Sequence, residues 1–301
     1  MKIDKQNGDC AFSENDHVYW NTKTNSRYIS VTTLIHSYTS EFDEEFWSSY
    51  KALEELLDDV IFSQLKKSLL ATKKFHPSVL RKFNVNEKLF YDKKREIVES
   101  YETKRTESCQ RGTEIHSIFE NSFYKSDKPD VKRFNIEGDF VCQPHYYELD
   151  IHRGVYPEFL IYRESSDGIL KVAGQIDLLL KDGDDIIIID FKTNKEIKQK
   201  SFYNRSKGGY ECMKFPLNKI MDTNFWHYSL QLSLYAYLLQ QINPEFNIKK
   251  LMLWHIDHNG KETEYEVEYL KDDVEKMLKH YKKNLIIQSE LNKDKPICHK
   301  Q

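Results

Sequence analysis

Two neighbouring apolar segments joined by a short glycine-containing turn constrain the fold more than any other feature. Residues 169–180 (ILKVAGQIDLLL) and 184–193 (DDIIIIDFKT) have the pattern of β-strands, and KDGD between them is typical of a tight turn. A similar segment, PEFLIYRE at 157–164, precedes them. The sequence therefore predicts three consecutive strands. The last is apolar on both faces at 186–189, which indicates a central position in a sheet.

The rest of the chain predicts helices and further strands around these three. They are two strands within 17–33, helices between 41 and 102 with a break at Pro77, helices at 111–123 and 228–241, strands at 249–256 and 263–270, and a helix at 271–289. This order predicts a mixed α/β domain rather than a regular βα repeat. We expect residues 1–106 to form an N-terminal β-hairpin and helical region that contacts DNA, and residues 107–301 to form the core.

Composition excludes several classes of protein. The net charge is −3 and 31% of the residues are charged, which excludes a uniformly basic DNA-coating protein but not an enzyme with one basic groove. No segment approaches the ~20 apolar residues of a membrane span, and the polar start lacks a secretory pattern. The five cysteines are scattered and form no CxxC pair. We therefore expect a cytoplasmic protein that does not bind membranes.

Three residues on the predicted hairpin form the principal candidate site. Asp190 and Lys192 are two apart on one strand, so their side chains point to the same face. A two-residue turn at Gly183-Asp184 would place Asp177 directly opposite Asp190, with Cβ atoms about 5 Å apart. A turn at Asp182-Gly183 would make them diagonal neighbours at about 7 Å. Either register brings two carboxylates and one ammonium together.

Such a cluster needs a proton or a cation to balance its charge. Mg²⁺ or Mn²⁺ suits carboxylate ligands and retains waters for chemistry. Lys192 could then orient or deprotonate the attacking water, or stabilise the transition state. The alternative is that Asp190 and Lys192 form an ordinary ion pair at a strand end. The matching register of Asp177 favours the catalytic interpretation.

Several motifs of the sequence together resemble those of a known family. GQID at 174–177 followed by IIDFKT at 188–193 is similar to the active-site strands of the PD-(D/E)xK nuclease superfamily. RGTEIHSIFE at 111–120 and QLSLY at 231–235 resemble the helices that flank the site in its RecB-like exonuclease branch. YISVTTLI at 28–35 resembles a segment of phage and organellar members. The proline that commonly precedes the first aspartate is absent here.

The resemblance covers 108–242 closely and implies a restriction-endonuclease-like mixed central sheet flanked by helices. It implies a metal site formed by His116, Asp177, Asp190 and the Phe191 carbonyl. Lys192 would be the catalytic lysine. It also implies that Glu158, Gln231 and Tyr235 belong to the catalytic set in supporting roles. Only one cysteine, Cys298, lies in the last eighty residues, so we expect no iron–sulfur cluster.

Each of these residues also has a purely structural interpretation. His116 could be a core histidine on the amphipathic helix 111–123, and Glu120, one turn later, is a weaker ligand candidate. Glu158 could be an ordinary strand residue, and Gln231 and Tyr235 could only pack a helix against the sheet. A buried Gln231 would nevertheless need hydrogen-bond partners, which the site could supply.

The segment after the catalytic strand predicts a nucleic-acid contact. Residues 192–219, the basic loop, contain eight Lys or Arg and two acids, with aromatic residues between them. Cations bind phosphates and rings stack on bases, which is what a single-strand channel requires. The candidate DNA-binding residues are Lys195, Lys198, Lys200, Tyr203, Arg205 and Lys207. The lysines within 66–95 could extend this groove or form a solvated face.

The predicted activity is metal-dependent hydrolysis of DNA. The resemblance favours an exonuclease of recombination, repair or phage replication that acts on single strands or duplex ends, in the host cytoplasm if a phage encodes it. Two alternatives remain open. One is a structure-specific or nicking endonuclease with the same site, and the other is a catalytically silent DNA- or partner-binding module.

Overall fold

A computed structural model describes residues 2–125, 129–143, 151–204 and 208–293. The chain divides into two compact units, one formed by Met1–Ser40 with Glu114–Gln301 and the other by Glu41–Thr113. The first unit contains the large sheet and the second is helical. Residues 1–40 therefore belong with the sheet, whereas the sequence predicted one division after residue 106.

Within the described residues, the first unit is built on a nine-stranded mixed sheet. Its strands are β1 (Lys5–Asn7), β2 (Cys10–Ser13), β3 (Val18–Asn21), β4 (Arg27–Ser30), β5 (Gly154–Glu164), β6 (Lys171–Asp182), β7 (Asp185–Lys192), β10 (Asn247–Ile256) and β11 (Glu262–Glu266), while β8 (Tyr203–Asn204) and β9 (Gly209–Tyr210) form a separate two-stranded sheet. The order is β1-β2-β3-β4-β6-β7-β10-β11, with β5 also paired to β6. The β4–β6 and β7–β10 pairs are parallel and the others antiparallel. The predicted restriction-endonuclease-like α/β fold is confirmed.

The turn between β6 and β7 settles the register of the central hairpin. Asp182 pairs with Asp185, so the turn consists of Gly183 and Asp184, the first of the two predicted possibilities. Gly183 adopts φ +60°, a backbone conformation that favours glycine. The turn therefore fixes which residues of the two strands face each other.

The helices of the described residues are α1 (Val31–His36), α2 (Glu44–Leu56), α3 (Asp59–Thr72), α4 (Ser78–Lys82), α5 (Glu87–Tyr124), α6 (Asn224–Ile242) and α7 (Lys271–Lys293). Those of the first unit, namely α1, α6, α7 and the end of α5, cover both faces of its sheet. Side chains of α1, α6 and α7 share one hydrophobic core with alternate residues of β6 and β7. Phe119 and Phe123 of α5 share the core of the opposite face with Ile189 and Phe191. Of the β7 isoleucines, Ile186, Ile188 and Ile189 are thus buried and Ile187 is partly buried, which agrees with the predicted central strand.

The helical unit has a core of its own. Phe46, Leu53, Phe62, Leu80 and Phe90 are buried together in it. α2 and α3 begin at aspartates, Asp43 and Asp58, whose side chains accept hydrogen bonds from backbone N–H groups of the first turn. Pro77 directly precedes α4, which confirms the predicted break.

The N-terminal forty residues differ from the prediction in two ways. Val31–Thr33 were predicted as strand, but Ser30 ends β4 and its side chain accepts a hydrogen bond from Thr33 N–H at the start of α1. β1 and β2 were not predicted, because β1 is polar and both strands are too short to show a clear alternation. Within the four described ranges, no helix has both the length and the apolar character that crossing a membrane requires.

Candidate active site

Asp177 and Asp190 lie opposite each other at the end of the central hairpin. The β6–β7 ladder pairs Leu178 with Ile189, and the same register continued by one residue pairs Asp177 with Asp190. Asp177 Oδ2 accepts a hydrogen bond from Phe191 N–H at 2.7 Å. Beyond the last backbone pair of the two strands, this hydrogen bond between a side chain and the backbone connects them.

Glu158 extends this pair to a row of three carboxylates across adjacent strands. The β5–β6 register pairs Pro157 with Leu178, so Glu158 stands opposite Asp177. Glu158 has φ +52° inside a strand, which costs a residue with a side chain about 1–3 kcal/mol. Strained backbone of this kind persists where the surrounding structure holds it, and it occurs often at functional sites.

His116 approaches the row from α5. Its Nδ1 lies 3.6 Å from Asp177 Oδ1 and 3.7 Å from Glu158 Oε1. Its Nε2 lies 3.1 Å from the Phe191 carbonyl oxygen. Phe119, one turn further on, stacks on the Phe191 ring with 4.2 Å between centroids and fixes the helix against β7. Two predicted metal ligands, His116 and Asp177, therefore lie close together, and they are joined by Glu158, which was predicted as a catalytic residue, rather than by Asp190.

Asp190 faces the other helix, α6. Asp190 Oδ2 lies 2.5 Å from Lys192 Nζ, and Oδ1 accepts a hydrogen bond from Gln231 Nε2 at 3.1 Å. Gln231 Nε2 also lies 3.3 Å from the Tyr235 hydroxyl oxygen. The buried Gln231 amide thus has hydrogen-bond partners in the site. Gln231 contacts Asp190 directly, and Tyr235 is connected to Asp190 through Gln231.

Burial and charge shift the protonation of these groups. Asp190 is 1% and Asp177 9% exposed. Burial raises the pKa of Asp190 to about 6, although the Lys192 ammonium opposes the rise. Burial also raises the pKa of Asp177 against the opposing charges of His116 and Lys192. Burial alone would lower the pKa of His116, but Asp177 and Glu158 outweigh it and raise the value to about 9.

The donor set fits a divalent cation. One ligand atom each from His116, Glu158 and Asp177 lie within 4.8 Å of one another. Asp190 Oδ2 is buried and has no directed hydrogen-bond partner among the described residues, despite its close ion pair with Lys192. Carboxylates and a histidine suit hard to borderline divalent ions. A cation bound here would reduce the electrostatic repulsion among Glu158, Asp177 and Asp190. The residues present therefore fit a divalent metal ion.

Three contacts were not predicted from the sequence. Gln175 Nε2 donates to Glu158 Oε2, and Lys5 Nζ lies 3.6 Å from the same oxygen. Lys192 Nζ lies over the Tyr228 ring, 4.6 Å from its centroid. Tyr228 could have been found, because it precedes Gln231 by three residues and shares its helix face. Lys5 could not, because more than 150 residues separate it from Glu158.

The basic loop is partly held against α6. The Tyr228 hydroxyl donates to Asn194 Oδ1 at 2.6 Å, and Asn224 Oδ1 accepts from Lys198 N–H at 2.8 Å. Of the candidate DNA-binding residues, Lys195, Lys198, Lys200 and Tyr203 are exposed, while Arg205 and Lys207 lie outside the described residues.

A small hairpin in the basic loop exposes aromatic rings. Tyr203–Asn204 and Gly209–Tyr210 form strands β8 and β9. The Tyr203 and Tyr210 rings meet edge to face at 5.2 Å, and Phe202 is 73% exposed. These rings are accessible to a ligand.

The chain belongs to the PD-(D/E)XK nuclease superfamily, whose family model matches residues 22–297. The protein is therefore a nuclease-family hydrolase, and the superfamily uses divalent metal ions and acts on nucleic acid. No curated protein sequence matches the chain.

Two solved structures show similarity at low identity. The crystal structure of SSO0001 is 20% identical, with a TM-score of 0.28; the match covers 44% of this chain and half of that one. A candidate exonuclease from Eubacterium rectale is 12% identical, with a TM-score of 0.31, over 86% of this chain and 80% of that one. Neither similarity adds to the functional argument.

Proposed function

We propose that the protein is a Mg²⁺- or Mn²⁺-dependent deoxyribonuclease of the RecB-like branch that digests DNA from ends. The observation that carries the proposal is the row of Glu158, Asp177 and Asp190 on three adjacent strands, with Lys192 paired to the last. Superfamily membership supports hydrolysis of a phosphodiester. The resemblance of the flanking helices supports the branch and a task in recombination, repair or phage replication.

In this proposal His116, Asp177 and Asp190 hold the cation, together with the Phe191 carbonyl, and Glu158 belongs to the same set. A bound cation would neutralise charge on the scissile phosphate and lower the pKa of a water beside it. Asp190 would have to exchange its contact with Lys192 for this role. Lys192 would then be released toward the substrate.

Lys192 supplies a positive charge where the transition state becomes more negative. Its ammonium lies over the Tyr228 ring, 4.6 Å from the centroid, and this contact would restrict its position after Asp190 turns to the cation. Preorganised charge of this kind is a major source of catalysis, because it needs no reorganisation during the reaction. Gln231 and Tyr235 keep Asp190 oriented from α6.

The basic loop is the proposed path of the DNA strand. Lys195, Lys198 and Lys200 follow Lys192 and are exposed. Cations in this position can hold phosphates on the way to the site. The exposed rings of Phe202, Tyr203 and Tyr210 can stack on bases of a single strand.

Comparison of linear with covalently closed circular DNA tests the exonuclease. Purified protein is incubated with Mg²⁺ or Mn²⁺ and with end-labelled single-stranded, duplex or circular DNA. We expect loss of label from linear DNA and an intact circle. Asp190→Ala should abolish the activity, whereas Asp184→Ala, in the exposed turn of the same hairpin, should retain it.

Two results would contradict the proposal in different ways. Nicking or cutting of the circle would assign the same site to an endonuclease. Absence of cleavage of any substrate in Mn²⁺, with no difference between wild type and Asp190→Ala, would indicate a catalytically silent binding module.

A further inference from the structure

A lysine from the first strand of the chain reaches the metal-ligand candidates. Lys5, in β1, lies 3.6 Å from Glu158 Oε2 and 3.6 Å from Glu120 Oε1 through its Nζ. The side chain is only 25% exposed. It lies outside residues 22–297, the part of the chain that the family model matches.

No carboxylate satisfies this ammonium at hydrogen-bond distance within the described part of the chain. Glu120 and Glu158 are both at 3.6 Å, and Glu14, which is 59% exposed, is at 4.0 Å. An ammonium has three strong donors and gains most from close charged acceptors. Lys5 is therefore attracted to the site but is not locked in it.

Glu158 divides its carboxylate between two neighbours. Oε1 faces His116 Nδ1 at 3.7 Å, and Oε2 faces Lys5 and accepts from Gln175. A divalent cation bound at His116, Glu158 and Asp177 would lie near the Lys5 ammonium and repel it. Of its two nearer carboxylates the ammonium would then keep only Glu120, and with three donors it would be able to bind a further anion as well.

The net charge of the site with a bound divalent cation determines whether the site repels a phosphate. Glu120, Glu158, Asp177 and Asp190 contribute four negative charges, which a divalent cation, Lys5 and Lys192 together balance, because a histidine that binds a metal ion is neutral. Glu14 adds little because it is exposed and distant. Without Lys5 the loaded site would carry one excess negative charge and would repel a phosphate.

We propose that Lys5 is a substrate-binding residue of the nuclease site, held by Glu158 and Glu120 until a cation binds and then contacting a phosphate of the nucleic acid. This inference rests on the proposed function and adds a residue from the N-terminal hairpin to its substrate contacts. Its specific consequence is that Lys5 contributes to DNA binding only when the cation is present.

The salt dependence of DNA binding tests the proposal. A fluorescent single-stranded oligonucleotide is titrated with full-length protein carrying Asp190→Asn, which slows cleavage and leaves the protein folded, at several salt concentrations. Each phosphate contact contributes about 0.7 to the slope of log K against log salt for a single strand. In Mn²⁺ we expect Lys5→Met to reduce the slope by about that amount and Lys5→Arg to preserve it. In EDTA the three proteins should have the same slope.

Lys23→Met is the matched control, because Lys23 pairs with Asp9 near the same hairpin and contacts no site residue among those described. It should leave the slope unchanged. Equal slopes for the parent and Lys5→Met in Mn²⁺ would overturn the proposal, and so would an equal loss in Lys23→Met or no binding at all. Failure of wild type to cleave DNA would overturn the proposed function but not this comparison.

Mn²⁺ affinity gives a second measurement that requires neither DNA nor catalysis. Free Mn²⁺ is followed by its paramagnetic resonance signal during titration of wild type and Lys5→Met. Removal of the competing ammonium should tighten Mn²⁺ binding severalfold. Weaker binding would instead mean that Lys5 only orients Glu158, and would overturn the substrate role.

Discussion

Asp177 Oδ2 accepts a 2.7 Å hydrogen bond from the backbone N–H of Phe191, the residue between Asp190 and Lys192. The contact closes the end of the β6–β7 ladder with a side chain. It holds one carboxylate oxygen in place and leaves the other, Oδ1, facing His116. Asp177 of β6 thus holds the β7 backbone between Asp190 and Lys192.

Two substitutions separate the hydrogen bond that Asp177 accepts from Phe191 N–H from the effect of its negative charge. Asp177→Asn keeps an oxygen that can accept from Phe191 N–H and removes a charge beside Asp190, so the metal-free protein should be at least as stable as wild type. Asp177→Ala leaves the buried N–H without a partner, which costs about 1–3 kcal/mol. Denaturant unfolding in EDTA measures both. Equal stability of the two variants would contradict the assigned hydrogen bond, and both should lose Mn²⁺ binding.

Substitution of Lys192 should destabilise the metal-free protein. Lys192→Met leaves the buried Asp190 carboxylate without its ammonium, and breaking a buried pair costs about 3–5 kcal/mol. Mn²⁺ should restore part of the loss, because a cation that binds only the folded state stabilises by about 2.7 kcal/mol at a hundredfold excess over Kd. Thermal unfolding with and without Mn²⁺ checks this, with the exposed Lys195→Met as control. A variant as stable as wild type in EDTA would show that the pair contributes little.

The positive φ of Glu158 predicts different stabilities for two variants that both lose activity. Glu158→Gly removes the backbone strain, whereas Glu158→Ala retains it, so the glycine variant should be more stable by about 1 kcal/mol. Both variants lack the carboxylate and should show reduced Mn²⁺ binding and nuclease activity. Chemical denaturation in EDTA compares their stabilities. A glycine variant less stable than the alanine variant would contradict the strain at this position.

Gly174 is required by the close approach of α6 and α1 to β6. A Cβ at Gly174 would lie 2.7 Å from Tyr235 Cε1 and 3.0 Å from Val31 Cγ2. Gly174→Ala should therefore destabilise the protein by about 1–3 kcal/mol and, by displacing Tyr235 from Gln231, reduce activity. Gly209→Ala, where nothing lies within 4 Å of the added carbon, is the control. Unchanged thermal stability of Gly174→Ala would refute the packing of Tyr235.

The sequence predicted the central hairpin because the relevant constraints are local. Alternation fixed the shared face of Asp190 and Lys192, and a glycine turn limited Asp177 to two registers. The row with Glu158 was beyond such reasoning, because the longer loop between Glu164 and Lys171 does not fix the β5–β6 register as a two-residue turn does. Lys5 was missed for a related reason: a short polar edge strand gives no signal, and its contact is made only when the sheet assembles.

The remaining candidates depend on long-range packing to different degrees. Helical spacing predicted that Gln231 and Tyr235 share a face, but only the structure shows that Gln231 donates to Asp190. The roles of these residues and of the basic loop remain predictions until binding and cleavage are measured.

Cleavage of end-labelled linear DNA with and without Mn²⁺, by wild type and by Asp190→Asn, tests the account most directly. Asp190→Asn keeps the shape of the side chain that Gln231 and Lys192 contact but removes the negative charge. We expect wild type to cleave only with Mn²⁺, and the variant to be folded and slower by a factor of about 1,000 or more, as for loss of a central catalytic group. Cleavage in EDTA, or a folded Asp190→Asn variant with wild-type rates, would contradict a metal-dependent site at these residues.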